Sequence, residues 1–118
     1  MILAFLNHEA GFGTAAEMLP QAAVSAVNVA EVATKLSEKG GPDVGIRRNI
    51  ARLRLEIIDV DADLAFRIGA LGPLTRPFGL SLGDRACLAT AQRLGVPAVT
   101  ADRGWLRLDV GVEIQVIR

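Results

Sequence analysis

The sequence has little that would tie the chain covalently or charge it. A single cysteine, Cys87, among 118 residues excludes an internal disulfide and fits a reducing compartment. Aromatic residues are scarce, four Phe and one Trp. The core must therefore come from Ala, Val, Leu and Ile, which favours helices packed on a sheet over a ligand cup lined with rings. Net charge is absent, since 13 Asp and Glu balance 13 Lys and Arg. A protein that holds nucleic acid by charge alone is strongly basic, so any such role here has to use local basic groups or bound cations. No apolar run approaches the roughly eighteen residues that span a bilayer. The segment from Met1 to Asn7 is apolar but has neither the cationic start nor the small-residue cleavage site of a signal peptide. The reading is of a soluble, cytoplasmic protein of one domain, long enough for a single hydrophobic core.

What is present alternates. Ile2 to Glu9 reads as helix, ended by Gly11-Phe-Gly13, and Thr14 caps a short helix that stops at Pro20. Ala22 to Ser25 is a brief buried strand. Asn28 is the expected N-cap of a helix whose Val29, Val32, Ala33 and Leu36 recur at helical spacing. Gly40-Gly41-Pro42 ends it, and Asp43 caps another helix in which Ile46, Ile50 and Leu53 share a face. Leu55 to Val60 reads as strand. Asp61 caps a helix carrying Leu64, Ala65, Ile68 and Leu71, and a Gly/Pro-rich loop is expected from Gly72 to Gly79. Ser81 opens a long helix to about Leu94, stopped at Gly95. Pro97 to Thr100 is a strand, Asp102 begins a turn or short helix, and Val112 to Ile117 is the last strand. Strands alternating with helices predict an α/β fold with a mostly parallel sheet.

In such sheets ligands bind beyond the carboxyl ends of the strands. Three acids fall beyond a strand end or near a helix start: Glu31, Asp84 and Asp102. Each has an ordinary account when taken singly. Asp84 shares a stripe with Cys87, Leu88 and Ala91 at helical spacing, and it is also the first-turn acid of a Ser81-x-x-Asp84 cap. Asp102 suits a turn before Gly104. Glu31 points roughly away from the Val29, Val32 and Leu36 stripe, as a solvated glutamate does. Brought together, three carboxylates repel one another unless a cation neutralises them. Hard oxygen ligands suit Mg²⁺ or Mn²⁺, which bridge to phosphate and polarise a phosphodiester.

Three segments carry a resemblance: Val24-Ser-Ala-Val-Asn-Val-Ala-Glu31-Val, Leu80-Ser-Leu-Gly-Asp84-Arg-Ala-Cys-Leu-Ala-Thr-Ala, and Val99-Thr-Ala-Asp102-Arg-Gly-Trp105. They resemble VapC-type PIN-domain toxins over essentially the whole chain, most specifically at Gly83-Asp84 and Thr100-x-Asp102. The resemblance implies a three-layer PIN-like fold and a nuclease that cuts RNA with Mg²⁺ or Mn²⁺. It also implies an inhibitory antitoxin partner and a homodimer. It places the second, third and fourth acids of the family pattern on Glu31, Asp84 and Asp102 as catalytic and metal-ligating residues, with Glu31 facing the cleft despite its helical periodicity.

One departure accompanies it. Members of that family begin with a short apolar strand ending in an aspartate, followed by a small-residue segment and the first helix. Here Met1 falls where that helix is already under way. The resemblance therefore implies that the first strand and first acidic ligand are missing, and that the native protein is about ten residues longer.

The remaining features support no rival site. Asp59, Asp61 and Asp63 begin like an EF-hand loop, but Leu64 stands where Gly is needed and Ala70 where Glu is needed. Gly11-Phe-Gly13 follows a predicted helix, not a strand, and is no nucleotide fingerprint. His8 is the only histidine and has no evident partner; Cys87 falls on the buried stripe as a core thiol. Ser25 and Ser81 lack a His and acid companion. Arg47, Arg48, Arg76, Arg85 and Arg103 are candidates for phosphate contact and equally ordinary surface arginines. Two other readings stand beside the nuclease. One is a catalytically dead PIN remnant that only binds an antitoxin. The other is a receiver-like signalling domain, which needs a late lysine, whereas the last lysine here is Lys39.

Overall fold

Short apolar segments bounded by turn residues become strands, and here they all pair in parallel. The computed structural model of the chain describes residues 2–3 and 23–116. Its strands are β1 (Ile2–Leu3), β2 (Ala23–Ser25), β3 (Glu56–Ile58), β4 (Ala98–Thr100) and β5 (Ile114–Val116). Its helices are α1 (Ala26–Glu38), α2 (Asp43–Ala51), α3 (Ala62–Thr75) and α4 (Leu82–Leu94), with 3₁₀ turns at Arg76–Phe78 and Arg103–Arg107. The sheet order is β3-β2-β1-β4-β5. Ile2 pairs with both Ala23 and Ala98, and Leu3 pairs with Val99.

This corrects the expectation for the first residues. Ile2–Leu3 is not the start of a helix, and the centre of the sheet is not vacant. Two apolar residues are too few to show a period, so helix and strand are indistinguishable there by pattern. The parallel ladder decides it, because β2 and β4 both have backbone groups to satisfy on their inner edges. The helices expected up to Glu9 and from Thr14 to Pro20 otherwise lie outside the described residues.

The sheet is covered on both faces, so β2 and β4 are buried throughout while successive side chains face opposite sides. Ala23 and Ala98 face one cluster, built on Leu64, Ile68 and Leu71 of α3, Leu88 of α4, and Trp105. Val24 faces the other way and meets Val32 of α1, with Leu36, Ile50, Leu53 and Leu55 packed around them. Helices therefore cover both faces, and none of the described helices is long and apolar enough to cross a membrane.

α4 is buried on more than a stripe. Every residue from Ala86 to Ala91 is inaccessible, because α3 packs on one side of the helix and the sheet and α1 on others. Alanine at three of those positions allows the close approach, and the Thr90 hydroxyl donates to the Ala86 carbonyl at 2.6 Å. Gly95 ends the helix with φ +65°, a left-handed conformation that glycine adopts without Cβ strain.

α3 runs past the expected loop start at Gly72 and through Pro73. Proline removes an N–H and leaves a carbonyl without its helical partner. Side chains bind neighbouring carbonyls instead: Arg85 Nη1 donates to the Ile68 carbonyl at 3.1 Å and Thr75 Oγ1 to that of Leu71 at 2.8 Å. The caps at Asp61 and Ser81 stand as expected, whereas those at Asn28 and Asp43 move to Ser25 and Pro42. Ser25 Oγ accepts the Asn28 N–H at 3.2 Å, so Asn28 is already inside α1.

Candidate functional site

Parallel pairing puts the carboxyl ends of β1, β2 and β4 on one edge of the sheet. α1 leaves β2 on that edge without a linker, since Ser25 both ends the strand and caps the helix. α4 precedes β4 by a short turn at Gly95, so its far end, with Asp84, returns to the same edge. Asp102 follows Thr100 at the end of β4 and caps the next 3₁₀ turn. All three expected acids are thereby assigned to this edge by the chain path.

Glu31 has the most distinctive surroundings. Its carboxylate rests against Gly83, one residue before Asp84, so closely that a methyl group at position 83 would overlap both carboxylate oxygens. Gly83 is buried, and only a residue without Cβ leaves this space. This placement departs from the solvated reading of Glu31 from periodicity. Periodicity marked the face turned to the Val24 and Val32 cluster, but α1 has a second neighbour in α4.

Asn28 joins these parts. It is 1% exposed. Its Nδ2 donates to the Gly83 carbonyl at 3.0 Å and to Glu31 Oε1 at 3.3 Å, while its Oδ1 accepts from Ser25 Oγ at 2.9 Å. By sequence alone Asn28 reads as a helix cap and Ser25 as a serine without a catalytic companion. The available signal was spacing: Ser25, Asn28 and Glu31 recur every three residues, which keeps them close to one helical face.

Asp84 is half-buried and serves a capping box. Its Oδ2 accepts the Ser81 N–H at 3.0 Å, and its own N–H donates to Ser81 Oγ at 3.2 Å. Asp102 is exposed; its Oδ1 accepts the Gly104 N–H at 2.8 Å, and its N–H donates to Thr100 Oγ1 at 3.0 Å. In each aspartate one oxygen is engaged by local backbone and the other is free of hydrogen bonds among the described residues. No three Asp, Glu, His or Cys side chains among those residues are gathered closely enough to form a cation cage. Mg²⁺ needs less, because it retains several waters and binds through one or two carboxylates. The donors here, hard oxygens from Glu31 beside the Asp84 turn, fit a largely hydrated divalent cation.

The arginines divide. Arg85 is committed to the α3 backbone, and Arg47 pairs with Asp43 at 2.8 Å on the surface. Arg48, Arg76 and Arg103 are exposed and have no partner among the described residues. Cys87, fully buried beside α4's first turn, has its thiol pushed well above its ordinary value by desolvation, with the Asp84 charge adding to it. It is no nucleophile in the folded state.

The chain matches a known family: a profile of the PIN domain covers residues 1–111. The chain belongs to the PIN domain family. Among curated proteins no significant match is found. Among solved structures, this PIN domain is similar to a chain of a toxin–antitoxin complex from Klebsiella pneumoniae, with TM-score 0.64 and 23% identity, covering 97% of this chain and 100% of that one. It is also similar to a chain of VapBC2 from Rickettsia felis bound to a DNA fragment from their promoter, with TM-score 0.68 and 20% identity over 100% of both chains. At such identities the likeness is one of fold.

Proposed function

We propose that this PIN domain is an endoribonuclease toxin that hydrolyses RNA phosphodiester bonds with Mg²⁺ or Mn²⁺ and is restrained by a cognate antitoxin. The observation that carries the proposal is the Glu31 carboxylate seated on Gly83 and hydrogen-bonded by buried Asn28, beside Asp84 and on the strand-end edge that also holds Asp102. A carboxylate held there, in a space that only glycine leaves, is hard to account for as a solvated surface group.

The residues divide the work. Glu31 and Asp84, with Asp102 on the same edge, would hold the cation through its retained waters, and when bound it would supply positive charge to offset the carboxylates and polarise the phosphodiester. The Ser81 and Gly104 N–H groups each fix one aspartate oxygen and leave the other without a hydrogen bond among the described residues. Arg103, exposed next to Asp102, receives an RNA phosphate as a charge-assisted donor. The neutral net charge accords with binding through cation and local arginine rather than a basic face.

Support for a protein partner comes from α3, whose outer face leaves Phe66 80% and Leu74 61% exposed, two turns apart. The Klebsiella pneumoniae neighbour is part of a toxin–antitoxin complex. The same reading includes a homodimer and a cytoplasmic location.

A second reading, a catalytically dead PIN remnant that only binds an antitoxin, is favoured by one feature. The residues after β1, Ala4 to His8, contain no carboxylate, and the first acid in the sequence is Glu9. Incubation of a mixed RNA pool with the purified chain and Mn²⁺ separates the two. Cleavage that Asp84→Asn abolishes supports the nuclease; a folded chain that leaves the pool intact supports the remnant.

A further inference from the structure

Burying a carboxamide is costly unless all its polar atoms are paired, and Asn28 pairs them across three elements. Ser25 at the end of β2 serves its oxygen, and the Gly83 carbonyl of α4 and the Glu31 carboxylate of α1 serve its nitrogen. The orientation of the amide follows from the partners. A carbonyl and a carboxylate face the same end of it, and both only accept, so that end is the NH₂ group. The bonds to Ser25 and Gly83 would be enough to tie the two helices to the sheet. The bond to Glu31 adds nothing to that tie, yet it acts on the acid of the site with the longest side chain and the most torsions to fix.

We propose that Asn28 is a positioning residue: it holds the Glu31 carboxylate over Gly83, so that Glu31 and Asp84 present oxygens to one cation. The inference rests on the metal-dependent reading above and names the group that organises its site. Ser25 sets the amide, the amide sets Glu31, and the missing side chain of Gly83 provides the place in which Glu31 rests. Without Asn28, Glu31 keeps its charge but turns through its free torsions toward water, and the cation loses a ligand fixed in advance.

The test is Mn²⁺ affinity of the whole chain, measured by electron paramagnetic resonance of free Mn²⁺ on folded protein. The proteins are wild type, Asn28→Ala, Glu31→Ala, the double variant, and Ile46→Val as a core change remote from the edge. Asn28→Ala should raise Kd about 10–100-fold, the range for groups that orient metal ligands. Ile46→Val should leave Kd within about twofold, the scale expected of a change outside the network. In the Glu31→Ala background, removal of Asn28 should change Kd by less than about twofold, because the effect passes through Glu31. Should Asn28→Ala fail to fold, Asn28→Ser keeps a buried hydrogen-bonding group too short to bridge Gly83 and Glu31, and the same cycle applies. Wild-type affinity in the Asn28 variant, or equal weakening with and without Glu31, overturns the positioning role while the nuclease reading stands. No saturable Mn²⁺ binding by wild type overturns the nuclease reading, and this inference with it.

Discussion

Replacing Gly83 with alanine sets two opposed effects against each other. Alanine in place of glycine within a helix is worth up to about 1 kcal/mol, and less in the first turn. Propensity alone therefore predicts a more stable protein. The structure predicts the reverse, because the added methyl would overlap the Glu31 carboxylate. Glu31 must leave, and the Asn28 N–H that it accepted at 3.3 Å is stranded in a site where Asn28 is 1% exposed. A buried donor left without a partner costs about 1–3 kcal/mol. The net is a loss of roughly 1–2 kcal/mol, or a fall in Tm of roughly 3–10 °C for a domain of this size. Thermal unfolding followed by far-UV circular dichroism reads it directly. The double variant Gly83→Ala/Glu31→Ala tests the cause, since without the carboxylate the methyl meets no obstacle and should stabilise relative to Glu31→Ala alone. A rise in Tm on Gly83→Ala in the presence of Glu31 would refute the reasoning.

Further outcomes follow from the same structure. Asp84→Asn keeps an oxygen for the Ser81 N–H, so it should abolish RNA cleavage while costing less than about 1 kcal/mol in denaturant unfolding, whereas Asp84→Ala should lose the cap as well, about 0.5–2 kcal/mol. Asp61 is held at a pKa of about 2 by its hydrogen bonds to Arg93 and the Leu64 N–H. Its folded value lies below its unfolded one, so its contribution to stability is present above about pH 4 and is lost as pH falls through 2; Asp61→Asn should flatten that acid limb in pH-dependent unfolding. Cys87 should resist a thiol reagent in the native state and react once denaturant exposes it, and modification without denaturant would contradict its burial.

Much of the fold was legible because its signals are local. Ser81-x-x-Asp84 and Gly95 bracket α4 with a cap and a stop that depend on nearby backbone alone. The β-branched run before Asp61 and the apolar run before Asp102 gave their strands for the same reason. The failures are places where a distant partner decides. β1 is strand because β2 and β4 flank it, which two residues cannot announce. α3 continues through Pro73, and Arg85 on another helix binds its backbone one turn earlier, at Ile68. At the candidate site the places of the aspartates, after a strand and in a helix cap, were readable. Glu31 was not, since its neighbour Gly83 lies far away in sequence and the residue that joins them, Asn28, resembled an ordinary cap.

The central claim is that the strand-end acids form a metal-dependent nuclease site. Its most direct test is cleavage of a mixed RNA pool by the purified chain with Mn²⁺, with chelator, and with Asp84→Asn shown to be folded by circular dichroism. Discrete cleavage products are expected with Mn²⁺, and none with chelator or with the variant. An intact pool in the presence of folded wild-type chain and Mn²⁺, or products that persist in Asp84→Asn, would contradict it.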